Sequence, residues 1–284
     1  MALFLQPMSR LRISAISYLN TAPLMWDFEH EPTRSQLATH FEIAYTIPSA
    51  CAEALRTGTA DIGIIPVAAY ASIPGLLALP GVAIAAQDAV RSILLVSRKR
   101  LDEVRTVALD TSSMTSVALC KVLLAKWLGG EREYRSMAPD LDSMLASCDA
   151  ALLIGDPALL VERAKFATVI DLAQEWRRHT GKPFVFAFWA VREAALTANP
   201  PNLAEIFQRS RDHGLGQPNL DEIILDWTPR LGLEENEVRR YLRENIHYFL
   251  DKDCLEGLRL YFAYAAELGI LPSTPTVQFL PAGK

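Results

Sequence analysis

Short apolar runs alternate with amphipathic stretches over the first two-thirds of the chain. Ile13–Ser17, Phe41–Ile47, Ile62–Ile65, Val82–Ala85 and Ser92–Val96 read as strands. The first is apolar enough to be buried on both faces, as in parallel sheets. Between them, Thr21–Phe28 and a segment from Ser49 to Arg56 read as helices, the first with Asn20 or Thr21 as its cap and the second stopped by Gly58. This β-α-β-α-β series predicts a wound α/β lobe.

A second series follows. Val104–Leu109 is a strand, Val117–Leu128 a helix closed by Gly129-Gly130, and Asp140 caps a short helix through Ser147. Ala150–Ile154 and Phe166–Ile170 are further strands, and Phe184–Val191 an extended return strand. Beyond Pro200-Pro201 the spacing turns helical, over Leu203–His213, Leu220–Leu231, Glu234–Phe249 and Asp253–Leu268, with charges on the outer faces.

The two series resemble each other. Arg12 to Thr21 and Arg105 to Ser116 each run from an apolar strand into a polar turn and a helix, 93 residues apart. Ala54 to Pro66 and Met144 to Gly155 each run helix end, turn, aspartate (Asp61, Asp149), strand and loop, with the aspartates 88 residues apart. Similar offsets predict two lobes of one design with a ligand cleft between them. The expected boundaries are residues 1–97 plus 190–284 for the first lobe and 98–189 for the second. The chain crosses near Ser97–Leu101 and returns near Phe186–Arg192, a pair of crossings that makes a hinge.

Composition narrows the classes. The chain has 284 residues, half of them apolar, with 28 basic and 33 acidic side chains and a net charge of −5. No Lys/Arg run suggests nucleic acid as a partner. The longest apolar stretch, Leu76–Ala86, is interrupted by Pro80 and Gly81 and is too short to span a bilayer. Met1 to Pro7 lacks a basic start and reads as no secretory signal, so a cytoplasmic location is expected. Cys51, Cys120, Cys148 and Cys254 form no CxxC pair and read as buried structural residues. The five histidines are scattered without ligand spacing, so no metal is expected.

Strand-end loops face the cleft in open α/β sheets. Four should converge: Ser17–Thr21, Ile65–Ala69, Asp110–Ser116 and Gly155–Pro157, with Arg91-Ser92 and Phe186 adding a floor. Asp110 to Ser116 carries five hydroxyls, on Thr111, Ser112, Ser113, Thr115 and Ser116, just before a helix. Backbone amides and the helix dipole there favour an anion, although capping alone explains one or two of them. Asn20 is a cap or a donor and acceptor at the mouth of the first strand. Arg91 pairs a carboxylate or begins a strand in solvent. Asp156 accepts from a ligand hydroxyl or caps a helix at Pro157. Asp61 and Asp149 read as turn residues on the far side. No Gly-rich phosphate loop or Ser-His-Asp arrangement is present.

Taken together, Ile16 to Pro23 with its Ser17-Tyr-Leu-Asn20 core, Leu55…Gly58…Asp61, Arg91-Ser92, Leu109 to Ser116, Ile154-Gly155-Asp156 and Gly181 to Trp189 resemble the chorismate dehydratase family of the futalosine route to menaquinone. The resemblance runs from about Arg12 to about Arg192. It implies an α/β, two-lobed type II periplasmic-binding-protein-like fold and a cytoplasmic hydro-lyase, acting on a small dicarboxylate without cofactor. Composition separately leaves no metal, nucleic acid or membrane expected, and the pattern leaves monomer and homodimer both open. Chorismate would lose its ring hydroxyl and the adjacent ether-carbon hydrogen, giving 3-[(1-carboxyvinyl)oxy]benzoate and water. On this resemblance Asn20 is catalytic, and Ser17, Arg91, Ser92, Thr111, Ser113, Met114, Thr115, Ser116, Gly155, Asp156 and Phe186 bind substrate. A sister family that makes dihydroxynaphthoate looks for a histidine in the loop after the strand equivalent to Ala150–Ile154, where this chain has Gly155-Asp156. A non-catalytic intracellular carboxylate-binding protein is the remaining alternative.

Overall fold

The computed structural model describes residues 10–196 and 202–281. The Met1–Pro7 start and the Pro200-Pro201 break lie outside the described residues. Among the described residues, ten strands form two five-stranded sheets. In chain order they are β1 (Leu11–Ile16), β2 (Phe41–Thr46), β3 (Ile62–Pro66), β4 (Leu76–Ala86), β5 (Ile93–Ser97), β6 (Thr106–Asp110), β7 (Glu133–Met137), β8 (Ala150–Ile154), β9 (Thr168–Asp171) and β10 (Phe184–Arg192).

The first sheet has the order β2-β1-β3-β10-β4 and the second β7-β6-β8-β5-β9. β1 pairs in parallel with β2 and β3, and β6 in parallel with β7 and β8. The fourth strand of each sheet is the one that arrives by a crossing, and it pairs antiparallel: β10 with β3 and β4, β5 with β8 and β9. The chain therefore changes lobe at 87–92 and again at 172–183. This corrects the boundaries expected at 97/98 and 189/190. Ile93–Ser97 belongs to the second sheet and Phe184–Arg192 to the first. Periodicity marks a strand but carries no information about its distant partner.

Burial follows position. The central strands β3, β5 and β8 are buried at every residue, whereas the edge strands β2 and β7 are partly or fully exposed along most of their length. One core runs from Ile13, Ile62 and Trp189 in the first lobe to Val107, Leu119 and Leu152 in the second. A separate cluster of Leu94, Val96, Ala108, Met144, Ala151 and Leu153 covers the other face of the second sheet. The four cysteines are free and buried.

The internal resemblance has a structural meaning. The Arg12 amide and Nε each donate to Asp61 Oδ2 at 2.9 Å, and Arg12 Nη2 to Asp61 Oδ1 at 2.7 Å. In the second lobe the amides of Arg105 and Thr106 donate to Asp149 Oδ2 at 2.9 and 3.0 Å. Each aspartate thus ties the start of its own strand to the start of the lobe's first strand. They are inter-strand staples rather than simple turn residues. Charge-assisted bonds of this kind are about twice as strong as neutral ones.

The C-terminal helices Leu203–Leu215 and Asn219–Leu231 lie near their expected positions. The expected helix Glu234–Phe249 does not run through. Glu235–Arg240 passes into a π-helical turn, Tyr241–Asn245, and the chain then extends. His247 and Ala85 exchange backbone hydrogen bonds at 2.8 and 2.9 Å, which adds a short edge pairing to β4. The last helix, Lys252–Glu267, is capped by Asp251 and bridges the lobes behind the cleft: Tyr261 OH donates to Thr115 O at 3.4 Å, and Lys126 pairs with Glu267 at 2.9 Å.

Candidate active site between the lobes

Sheet order places the carboxyl ends of β1, β3, β6 and β8 opposite one another, and a cavity of about 50 Å³ lies there. Its wall includes Asn20, Tyr18 and Phe186 from the first lobe, Ser113, Thr115, Ser116 and Gly155 from the second, and Ser92 from the first crossing. Asn20 and the hydroxyl cluster thus share one crevice. The space suits roughly four waters, well below the ~300 Å³ or more of a typical ligand pocket.

Asn20 is not a helix cap. It is the second residue of the short 3₁₀ helix Leu19–Met25, whose N-cap Tyr18 makes no side-chain capping bond. Asn20 Oδ1 accepts from Thr21 Oγ1 at 3.2 Å. The amide is held at its oxygen and presented to the cavity.

The hydroxyls are prepared as donors. Ser92, Ser113 and Thr115 are all buried. Ser92 Oγ accepts from Tyr241 OH at 2.8 Å, Ser113 Oγ from the Ser116 amide at 3.1 Å, and Thr115 Oγ1 from the Ala68 amide at 3.1 Å. A hydroxyl oxygen that already accepts keeps its own proton to give. Three such protons around one small space suit a carboxylate, with no cationic side chain in the wall. Ser112 is occupied elsewhere: its amide and hydroxyl donate to Asp110 Oδ1 at 2.8 and 2.5 Å, while Asp110 Oδ2 takes the Ile154 amide at 3.3 Å.

Three first-lobe helix starts reach across the cleft. Leu19 N donates to Asp156 Oδ1 at 3.1 Å, Ser49 N to Ser112 O at 3.1 Å, and Ala68 N to Thr115 Oγ1. Amides in the first turn of a helix lack intrahelical partners, so acceptors in the other lobe satisfy them. These bonds clasp the lobes together. Asp156 is the charged member, and burial pushes its carboxyl up to about 6, with the Leu19 amide pulling the other way.

Several residues expected at the site stand elsewhere. Arg91 has a left-handed φ of 64°. Its amide donates to Asp171 Oδ2 at 2.7 Å, and its guanidinium lies 3.5 Å from Glu237. Thr111 is exposed, its amide bound to Met137 O at 3.1 Å, and Met114 occupies the N-cap position of the helix Thr115–Lys126. Ser17 opens onto a neighbouring groove with His30, Tyr45 and Arg230. Asp156 acts on the Leu19 amide from behind the wall.

Sequence reasoning missed Tyr241. It comes from the C-terminal helices, is only 1 % exposed, and lies 149 residues from Ser92. Burial holds its phenol above the ordinary tyrosine range, and the Ser92 and Asn20 side chains temper that rise. It is therefore a protonated donor at neutral pH.

The menaquinone biosynthesis family matches residues 11–267. The chain belongs to this family. Chorismate dehydratase of Thermus thermophilus is 32% identical to this chain over 279 residues, covering 91% of this chain and 94% of that one. A crystal structure of an Archaeoglobus fulgidus protein superposes with a TM-score of 0.73 at 16% identity, covering 92% of this chain and 98% of that one. The periplasmic aliphatic sulphonate binding protein of Escherichia coli gives 0.63 at 16% identity, covering 97% and 94%. At that identity the structures establish the fold, the two-lobed periplasmic-binding-protein architecture. No helix among the described residues is long and apolar enough to cross a membrane.

Proposed function

We propose that the protein is a chorismate dehydratase of the futalosine route, converting chorismate to 3-[(1-carboxyvinyl)oxy]benzoate and water. The observation that carries this reading is the convergence of Asn20 with the donor-ready hydroxyls of Ser92, Ser113 and Thr115 in one cleft. The relative from Thermus thermophilus supports it, since its similarity spans nearly both chains.

The chemistry asks for placement. The hydrogen on the ether-bearing ring carbon must meet a base while the neighbouring hydroxyl leaves with a proton. Aromatisation drives the reaction. The enolpyruvyl carboxylate of chorismate lies close to that hydrogen and serves as base. Holding it there is worth ~7–11 kcal/mol in well-oriented intramolecular cases. The serine and threonine hydroxyls hold the carboxylates, Asn20 orients the enolpyruvyl carboxylate or the departing hydroxyl, and Asp156 holds the backbone one residue before Asn20. Closure excludes water and strengthens each of these bonds. Four free cysteines fit a reducing cytoplasm.

Asn20→Ala tests the reading. Among the described residues its side chain bonds only with Thr21 and the Tyr241 phenol, so the variant should melt within a few degrees of the wild type while turnover falls by about 100-fold or more. Wild-type turnover in Asn20→Ala would remove the residue from the mechanism.

A further inference from the structure

The helix Glu235–Arg240 and its π-helical extension lie against the first crossing between the lobes. Glu237 pairs with Arg91 at 3.5 Å, Tyr241 OH donates to Ser92 Oγ at 2.8 Å, and Asn245 Nδ2 donates to Ala89 O at 2.9 Å. The three helix residues are spaced by four, and their targets all fall within residues 87–92. Arg91 holds a left-handed conformation, which a non-glycine residue keeps only where its surroundings over-determine it. The amides of Val90 and Arg91 are both taken by Asp171 at 3.2 and 2.7 Å. The crossing is therefore gripped on two sides, and Ser92 emerges from it into the cavity wall. Single π-turns concentrate at functional sites.

We propose that Tyr241 is a positioning residue: by donating to Ser92 Oγ it turns the serine's own proton into the cleft, onto a substrate carboxylate. This deepens the dehydratase reading and rests on it. A serine oxygen can accept as well as donate. Without the phenol, Ser92 is free to turn its proton elsewhere and face the carboxylate with a lone pair. Tyr241 is fully enclosed, so no water takes its place. The C-terminal helices, which belong to neither repeated series, thereby contribute to the chemistry.

The test is a cycle of Tyr241→Phe, Ser92→Ala and the double variant in the full chain, assayed with chorismate. Phe keeps the ring's packing and removes only the hydroxyl. If Ser92 grips a carboxylate equally in ground and transition states, each single variant raises KM about ten-fold and leaves kcat within about two-fold. In the Ser92→Ala background, Tyr241→Phe then adds less than about two-fold to KM. A wild-type KM in either single variant overturns the proposal. So does a loss confined to kcat, or two effects that multiply in full. Wild-type protein inactive on chorismate overturns the dehydratase reading and this inference with it; an active wild type with an unaffected Tyr241→Phe overturns this inference alone.

Discussion

The Leu19 amide in the first lobe donates to Asp156 Oδ1 in the second at 3.1 Å, and Asn20 is the next residue in the chain. A contact between lobes therefore also fixes the loop that carries the central side chain of the site. Parting the lobes would lose both at once.

Asp156 also makes stability depend on pH. An aspartate in the unfolded chain titrates near 3.9, while burial raises this one to about 6. Between those values the folded state keeps a proton that the unfolded state has released. Ionising Asp156 thus weakens the fold progressively as pH rises from about 4 to about 6, by at most roughly 3 kcal/mol in all. Asp156→Asn retains an acceptor for Leu19 and removes the buried charge. Its melting temperature should match wild type near pH 4 and exceed it at pH 7, by several degrees. Parallel curves across that range would contradict the assignment.

Asp156→Ala removes the acceptor altogether. The Leu19 amide is then left without a partner, which typically costs 1–3 kcal/mol. Because the loss falls on the closed state and on the Asn20 loop, kcat/KM should drop by about ten-fold or more. Steady-state kinetics on Asp156→Ala beside Asp156→Asn separate the loss of the acceptor from the loss of the charge.

Gly155 adjoins the same clasp. Its φ is 63°, and a Cβ there would stand 2.8 Å from Tyr18 Cε2 in the opposite lobe. Gly155→Ala should therefore weaken the fold by about 1–2 kcal/mol from the backbone alone and lower kcat/KM further by propping the lobes apart. A variant with wild-type kinetics and melting would show that Tyr18 moves away freely.

Gly214 supports the site from behind. It lies in the helix Leu203–Leu215, and a Cβ would meet Pro23 O at 2.1 Å. Pro23 belongs to the 3₁₀ helix that carries Asn20. Gly214→Ala forces the two helices apart, with a loss of roughly 3 kcal/mol. Thermal melting checks the size of the effect, and residual turnover shows whether the shift reaches Asn20.

Much of this arrangement is legible in the sequence, for physical reasons. Ala150–Ile154 is buried on both faces, so its apolar run marks it unambiguously. Asp140 accepts from the Ser143 amide at 2.9 Å, a local cap that spacing alone predicts. The paired series around Asp61 and Asp149 marks the two lobes because each aspartate does the same work in its own sheet. What escaped depends on distant partners or on solvent. β7 is the polar edge strand Glu133-Tyr-Arg-Ser-Met, with no apolar run to announce it. β5 looks local but pairs with β8 and β9, and that pairing moves the lobe boundary. The helix Leu172–Thr180 did leave a signal, a capping Asp171 and a closing Gly181, that the apolar pattern overshadowed. Tyr241 left none. Its role comes from a π-turn and a contact 149 residues away.

The most direct measurement mixes purified protein with chorismate, no cofactor or metal added, and follows the products by mass spectrometry and ultraviolet absorbance. The predicted result is conversion to 3-[(1-carboxyvinyl)oxy]benzoate with loss of one water per chorismate. Chorismate that binds and is recovered unchanged would contradict the account and leave a binding protein in its place.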